Sequence, residues 1–277
     1  MTSIPGNRPI PSETTTMFNR RAFIRSSAVA AGAVALSNKA QAAETRPNPS
    51  GVRGYNYRLP KFKPGTRLVF QGDSITDMNW GRNEADRNHY LGHSYVYLIA
   101  SRLGVECAAD KLNFFNRGVG SNSMPDLQKR WQKDSIDSKP DLLSVLFGVN
   151  DVNRMLAGVT PKDWESDYRT LLESSRKANP ALKLVLLEPF VLPVGPLAKP
   201  DSHKNWRGKI DLMAGIVARL AKDFDAVHIK TQGVFDAAAK MAPPDQWIWD
   251  GVHPLPQGHE LIARNWLEQV SARWNKI

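Results

Sequence analysis

The sequence predicts an α/β fold, a three-layer sandwich with a five-stranded parallel sheet held between layers of helices. Three observations point there. From Arg67 onward, short strand-like runs alternate with stretches whose apolar residues recur at helical spacing. The best-defined strand-like run, residues 142–147, is apolar except for Ser144, as suits a strand covered on both faces. Finally, 277 residues with 42% hydrophobic and 23% charged content suit one large domain behind a leader and are too few to suggest three.

Taken in order, Arg67, Leu68, Val69 and Phe70 form the first strand, dense in branched and aromatic side chains. A helix is expected over 92–103, where Tyr95, Val96, Leu98, Ile99 and Leu103 fall on one face, and a second strand over 112–116. A second helix starts at Met124, passes Trp131 and extends toward Asp134, and the third strand follows Pro140-Asp141. Thr160 and Pro161 are suited to the cap and first turn of a helix that ends near Asn179-Pro180. The fourth strand covers 182–187, after which Pro189, Pro193, Pro196 and Pro200 enforce an irregular loop. A long helix over 201–224, a strand over 226–229, a short helix over 231–241, a loop over 242–256 and a closing helix over 257–274 complete the domain.

Ahead of the domain, polar residues 1–18 lead into Asn19-Arg20-Arg21-Ala22-Phe23-Ile24-Arg25, an Ala/Val-rich run over 26–36, and Ala40-Gln41-Ala42. Paired arginines, an apolar core too short to span a bilayer and small residues at a cleavage position resemble a twin-arginine export signal over 1–42. That implies a periplasmic or secreted protein. Residues 43–64, punctuated by Pro47, Pro49, Gly51, Gly54, Pro60 and Pro64, read as a linker, leaving 65–277 as the folded domain. Nothing else approaches the length of apolar chain, about 20 residues, needed to cross a membrane.

The formal charge of +10 is inflated by that leader, which holds five Lys/Arg against one Asp/Glu. The remaining excess is spread out, without basic blocks interleaved with aromatics, so nucleic acid is not an expected partner. There is no phosphate-binding Gly-x-x-x-x-Gly-Lys-Ser/Thr loop and no Cys/His zinc spacing, so neither cofactor nor metal is expected. Cys107 is the only cysteine, which excludes an internal disulfide. Nothing in the sequence sets the oligomeric state.

The chemistry-bearing residues fall in four blocks. Gln71-Gly72-Asp73-Ser74-Ile75-Thr76-Asp77 follows the first strand, placing Ser74 on a strand-to-loop turn where an α/β sheet presents groups to ligands. Alone, Gly-Asp-Ser is ordinary turn and capping chemistry. Three further blocks change its weight: Asn116-Arg117-Gly118-Val119-Gly120-Ser121 after the second strand, Gly148-Val149-Asn150-Asp151 after the third, and Asp250-Gly251-Val252-His253 before the last helix. Ester hydrolysis through a serine needs a base for the hydroxyl proton, a group to orient that base and donors for the oxyanion. His253 stands three residues after Asp250, so the carboxylate can hold one imidazole nitrogen while the other faces Ser74.

In order and spacing these blocks are similar to those of the SGNH, or GDSL, hydrolase superfamily, and the resemblance spans residues 67–274. With Asp126-Leu127-x-x-Arg130-Trp131 and Trp249-Asp250-x-Val252-His253-Pro254, the chain looks most like bacterial acetylxylan esterases and related carbohydrate O-acetylesterases. The resemblance implies a flavodoxin-like sheet and a serine esterase acting on acetylated carbohydrate, with Ser74 as nucleophile, His253 as general base and acid, and Asp250 as its orienter. It also implies an oxyanion hole from the Ser74 N–H, the Asn150 side-chain amide and a second-block N–H. Here the chain departs from the family pattern, Asn-Arg-Gly-x-x-Gly: Ser121 occupies the sixth position and Gly120 stands one place early. Serine keeps the N–H, but a required positive φ would be strained by its side chain.

The fold leaves the acyl and leaving groups open. A lysophospholipase or thioesterase is the first alternative, and a non-catalytic carbohydrate-binding envelope protein on a degenerate scaffold the second. The chain has no evident lid or acyl-tunnel insertion, which favours short acyl groups. His89 and His93 have helical metal-binding spacing without a third ligand and read as surface or loop residues. His228 and His259 read as structural. Trp80, Trp247 and Trp249, in loops near the four blocks, suit either a sugar platform or a cover for the core.

Overall fold

A computed structural model describes residues 59–275. The leader, with Arg20 and Arg21, and most of the linker lie outside the described residues. The linker's end is not free: Phe62 is buried, and the Lys61 N–H donates to the Trp274 carbonyl at 2.8 Å.

Five parallel strands, β1 (Arg67–Gly72), β2 (Asn113–Gly118), β3 (Leu142–Leu146), β4 (Lys183–Leu187) and β5 (Val227–Ile229), form one sheet in the order β2-β1-β3-β4-β5. That is the doubly wound, flavodoxin-like order. Strand order reverses between β1 and β3, and ligands in such sheets bind at the carboxyl ends flanking that point. β1, β3 and β4 are buried almost throughout, so their largely apolar runs are the sequence signature of a sheet covered on both faces.

Eight α-helices cover it among the described residues: α1 (Ser74–Asp77), α2 (Tyr95–Glu106), α3 (Met124–Trp131), α4 (Asp151–Leu156), α5 (Pro161–Ala178), α6 (Pro200–Asp223), α7 (Thr231–Met241) and α8 (Pro256–Trp274). α3 runs on into a π-helical turn, Gln132–Ile136. Thr160 and Asp163 cap α5 reciprocally, with Pro161 at its first position as its sequence predicts. Across the α2–α8 side of the sheet, Phe70 packs against Tyr95 and Trp266, and the Trp266 indole N–H donates to Ser144 Oγ at 3.0 Å inside the core. Each fully buried large apolar side chain of this kind contributes about 1.5–3 kcal/mol.

Two helices depart from the expected layout. Ser74 opens the four-residue helix α1 rather than sitting in an open turn, and Asn150 is the N-cap residue of α4. Both helices are too short to show a hydrophobic period, so no sequence pattern announces them.

Candidate active site

The carboxyl ends of β1, β2 and β3 deliver three of the four blocks to one place, because those strands are neighbours in the sheet. The turn after β1 packs too closely on its surroundings to admit side chains at two positions. A Cβ on Gly72 would lie 2.2 Å from Thr76 Oγ1 and 2.5 Å from the Leu146 carbonyl of β3, and one on Gly118 would lie 2.3 Å from the Asp77 backbone nitrogen. Glycine at 118 lets β2 press against the turn that carries Ser74, and glycine at 72 lets that turn fold back over the end of β1.

Ser74 Oγ lies 2.8 Å from His253 Nε2, and His253 Nδ1 lies 2.6 Å from Asp250 Oδ2. With the carboxylate ionised, Nδ1 carries the proton and donates to it, leaving Nε2 to accept from the serine hydroxyl. Burial pushes the Asp250 carboxyl up, but the His253 backbone N–H, its imidazole and the Val252 N–H outweigh that and hold the group below the usual carboxylate range. The proline-rich loop after β4, which the sequence shows only as irregular, supports this turn. The Leu192 N–H donates to the Gly251 carbonyl at 3.0 Å, and Gly251 takes a φ of 95° against Val194 and Leu197.

Three candidate oxyanion donors come from the ends of β1, β2 and β3. The Ser74 N–H is the first of α1 and has no intrahelical acceptor. Asn150 occupies an N-cap position but makes no side-chain cap bond; its Nδ2 instead donates to the Asn122 carbonyl at 2.9 Å, leaving a second N–H for other use. In the second block the structure separates the two candidates. The Gly120 N–H is taken by Asp77 Oδ2 at 2.8 Å, whereas the Ser121 N–H has no acceptor among the described residues. Ser121 holds a φ of 62°, the left-handed backbone that a glycine adopts without cost.

Several groups here were given no catalytic role by the sequence. Asp73 caps α1, its Oδ1 accepting from the Ile75 N–H at 3.0 Å. Complete burial pushes this carboxyl up to about 7, partly offset by the Ile75 hydrogen bond and by nearby His253. Asp77 binds Arg82 and the Gly120 N–H through one oxygen while its other oxygen is buried without a partner. Met78 and Asn79, both at positive φ, join Ser74, Asp77, Gly120, Trp249 and His253 around a cavity of about 290 Å³.

The three loop tryptophans divide. Trp247 is buried, and Trp80 is half-buried with its indole N–H bound to the Gly118 carbonyl, whereas Trp249 stands 63% exposed at the mouth of the cavity. His89 is exposed against Asp86, and no cluster of metal-ligating side chains occurs among the described residues. His228 pairs with Glu188 at 2.9 Å. His259 is buried, and its Nδ1 accepts the Tyr95 N–H at the start of α2; burial lowers its pKa to about 3.

Comparison with known proteins identifies the family. A sequence profile of the GDSL-like lipase/acylhydrolase family matches residues 70–261. An acetylxylan esterase of Geobacillus stearothermophilus is 29% identical over 223 residues, covering 77% of this chain and 98% of that protein. Its crystal structure superposes with a TM-score of 0.66. A protein of Parabacteroides merdae solved as a GDSL-like lipase is 34% identical with a TM-score of 0.71, covering 77% of this chain and 99% of its own. The chain therefore belongs to the GDSL-like lipase/acylhydrolase family of esterases.

Proposed function

We propose that this protein is a serine esterase that removes acetyl groups from a carbohydrate. The observation that carries the reading is the Ser74–His253–Asp250 line of hydrogen bonds, 2.8 and 2.6 Å. His253 takes the Ser74 proton as Oγ attacks the acetyl carbonyl, and Asp250 stabilises the imidazolium that results. The Ser74 and Ser121 N–H groups and the Asn150 amide receive the oxyanion. The imidazolium then protonates the departing sugar hydroxyl, and a water activated by the same base releases acetate. In the Geobacillus enzyme, serine and aspartate variants described as catalytic mutants are the same number of residues apart as Ser74 and Asp250.

A small cavity favours a short acyl group, and the exposed face of Trp249 offers a sugar ring a stacking surface. Export through the leader would place the enzyme in the periplasm or outside the cell, where polysaccharide is found. Ser74→Ala should abolish fluorophosphonate labelling and ester hydrolysis while the protein stays folded. Persistent labelling of that variant would overturn the assignment of the nucleophile. Rates that rise from acetyl to octanoyl esters would overturn the acyl preference in favour of a lipid esterase.

A further inference from the structure

Arg130, on α3, touches none of the triad, yet it contacts the backbone or the neighbours of every oxyanion donor. Its Nη2 donates to the Gly72 carbonyl at 2.8 Å, two residues before Ser74, and its Nη1 donates to Gln71 Oε1 at 2.5 Å and to the Arg117 carbonyl at 2.7 Å. Nε donates to Asn122 Oδ1 at 2.6 Å, and the carbonyl of that same asparagine receives Asn150 Nδ2 at 2.9 Å. One planar cation thus ties together the end of β1 that carries the Ser74 N–H, the end of β2 that leads to Ser121, and the residue that holds Asn150. Asp134 is the only anion among these partners, at 3.1 Å. A bidentate or multidentate network of this kind suits guanidinium and not ammonium, because five N–H groups leave a fixed plane in fixed directions.

We propose that Arg130 is the positioning residue of the oxyanion hole, acting through Asn122 on the Asn150 amide and the Ser121 N–H. The inference rests on the esterase reading. Ser121 gives it a physical reason: a serine at φ 62° lies in a strained backbone conformation that something outside the loop must hold. Asn122, the next residue, is where Arg130 grips. A donor displaced by a fraction of an ångström from the developing oxyanion loses transition-state stabilisation while ground-state binding changes little.

The test compares Arg130→Lys and Asn122→Ala with the parent protein on 4-nitrophenyl acetate. Arg130→Lys keeps the charge and loses the fork; Asn122→Ala cuts the side-chain link and leaves the cation in place. Both should lower kcat roughly tenfold to a hundredfold with KM nearly unchanged. On an Asn150→Ala background the cost of Arg130→Lys should shrink severalfold, because its route to that donor is already gone. If the loss is the same on both backgrounds, or if the Asn122→Ala variant turns over at the parental rate, the proposal is wrong. Should Arg130→Lys fail to fold, the same cycle run with Asn122→Ala decides between the outcomes. Fluorophosphonate labelling of the parent protein separates the two readings: a parent that is labelled and active with indifferent variants refutes this inference alone.

Discussion

Replacing Asp73 by Asn should make the protein more stable at pH 8 and leave its stability near pH 4 almost unchanged. Asp73 is wholly buried, and burial lifts its carboxyl from 3.8 to about 7. In the unfolded chain the same group ionises near pH 4. Between those values the native state holds a proton that the unfolded state has released, so stability falls as pH rises, by about 1.4 kcal/mol per pH unit. Across the window the loss sums to roughly 4 kcal/mol, and above pH 7 it is constant. Asparagine keeps the oxygen that accepts the Ile75 N–H and has no proton to lose, so its capping role survives while the pH dependence disappears. His259, pushed down by burial to about 3, titrates in both proteins and cancels from the difference. Urea unfolding followed by tryptophan fluorescence at pH 4, 6 and 8 measures that difference. Curves for the two proteins that stay parallel over this range would refute the account of Asp73.

Ser121→Gly should relieve a left-handed serine and raise stability by about 0.5–1 kcal/mol after the glycine's greater unfolded-state entropy is counted, with activity retained; a drop in Tm or in kcat would remove the strain argument. Asn150→Ala should lower kcat about a hundredfold or more with little change in KM, and a nearly silent variant would require a different oxyanion hole. Trp249→Ala should raise KM on acetylated xylan more than on ethyl acetate, since only the polysaccharide has a ring to stack; equal effects on both would assign the side chain to the cavity wall. Changing Arg20 and Arg21 together to Lys should leave uncleaved precursor in the cytoplasm, as fractionation and blotting would reveal, and unchanged export would exclude the twin-arginine route.

The sequence by itself determined the class of fold and three residues of the site. Short apolar runs alternating with helical periods suit strands covered on both faces, and an Asp250–His253 pair three residues apart is local enough to read directly. The long helices were legible to within a few residues, since apolar periodicity and caps such as Thr160 with Pro161 are local signals with local causes. Tertiary structure decided the rest, because it depends on which distant groups compete for one donor or acceptor. Gly120 and Ser121 are chemically equivalent as amide donors, and only the capture of the Gly120 N–H by Asp77, 43 residues away in sequence, leaves Ser121 free. Asn150 could have capped α4, yet its amide turns to Asn122. Trp247 and Trp249, two residues apart in one loop, end buried and exposed respectively, a difference that their shared residue type does not foretell. Composition had no means of ranking Arg130 above other arginines; its role exists only where the ends of β1 and β2 and the Asn122 turn converge on one guanidinium.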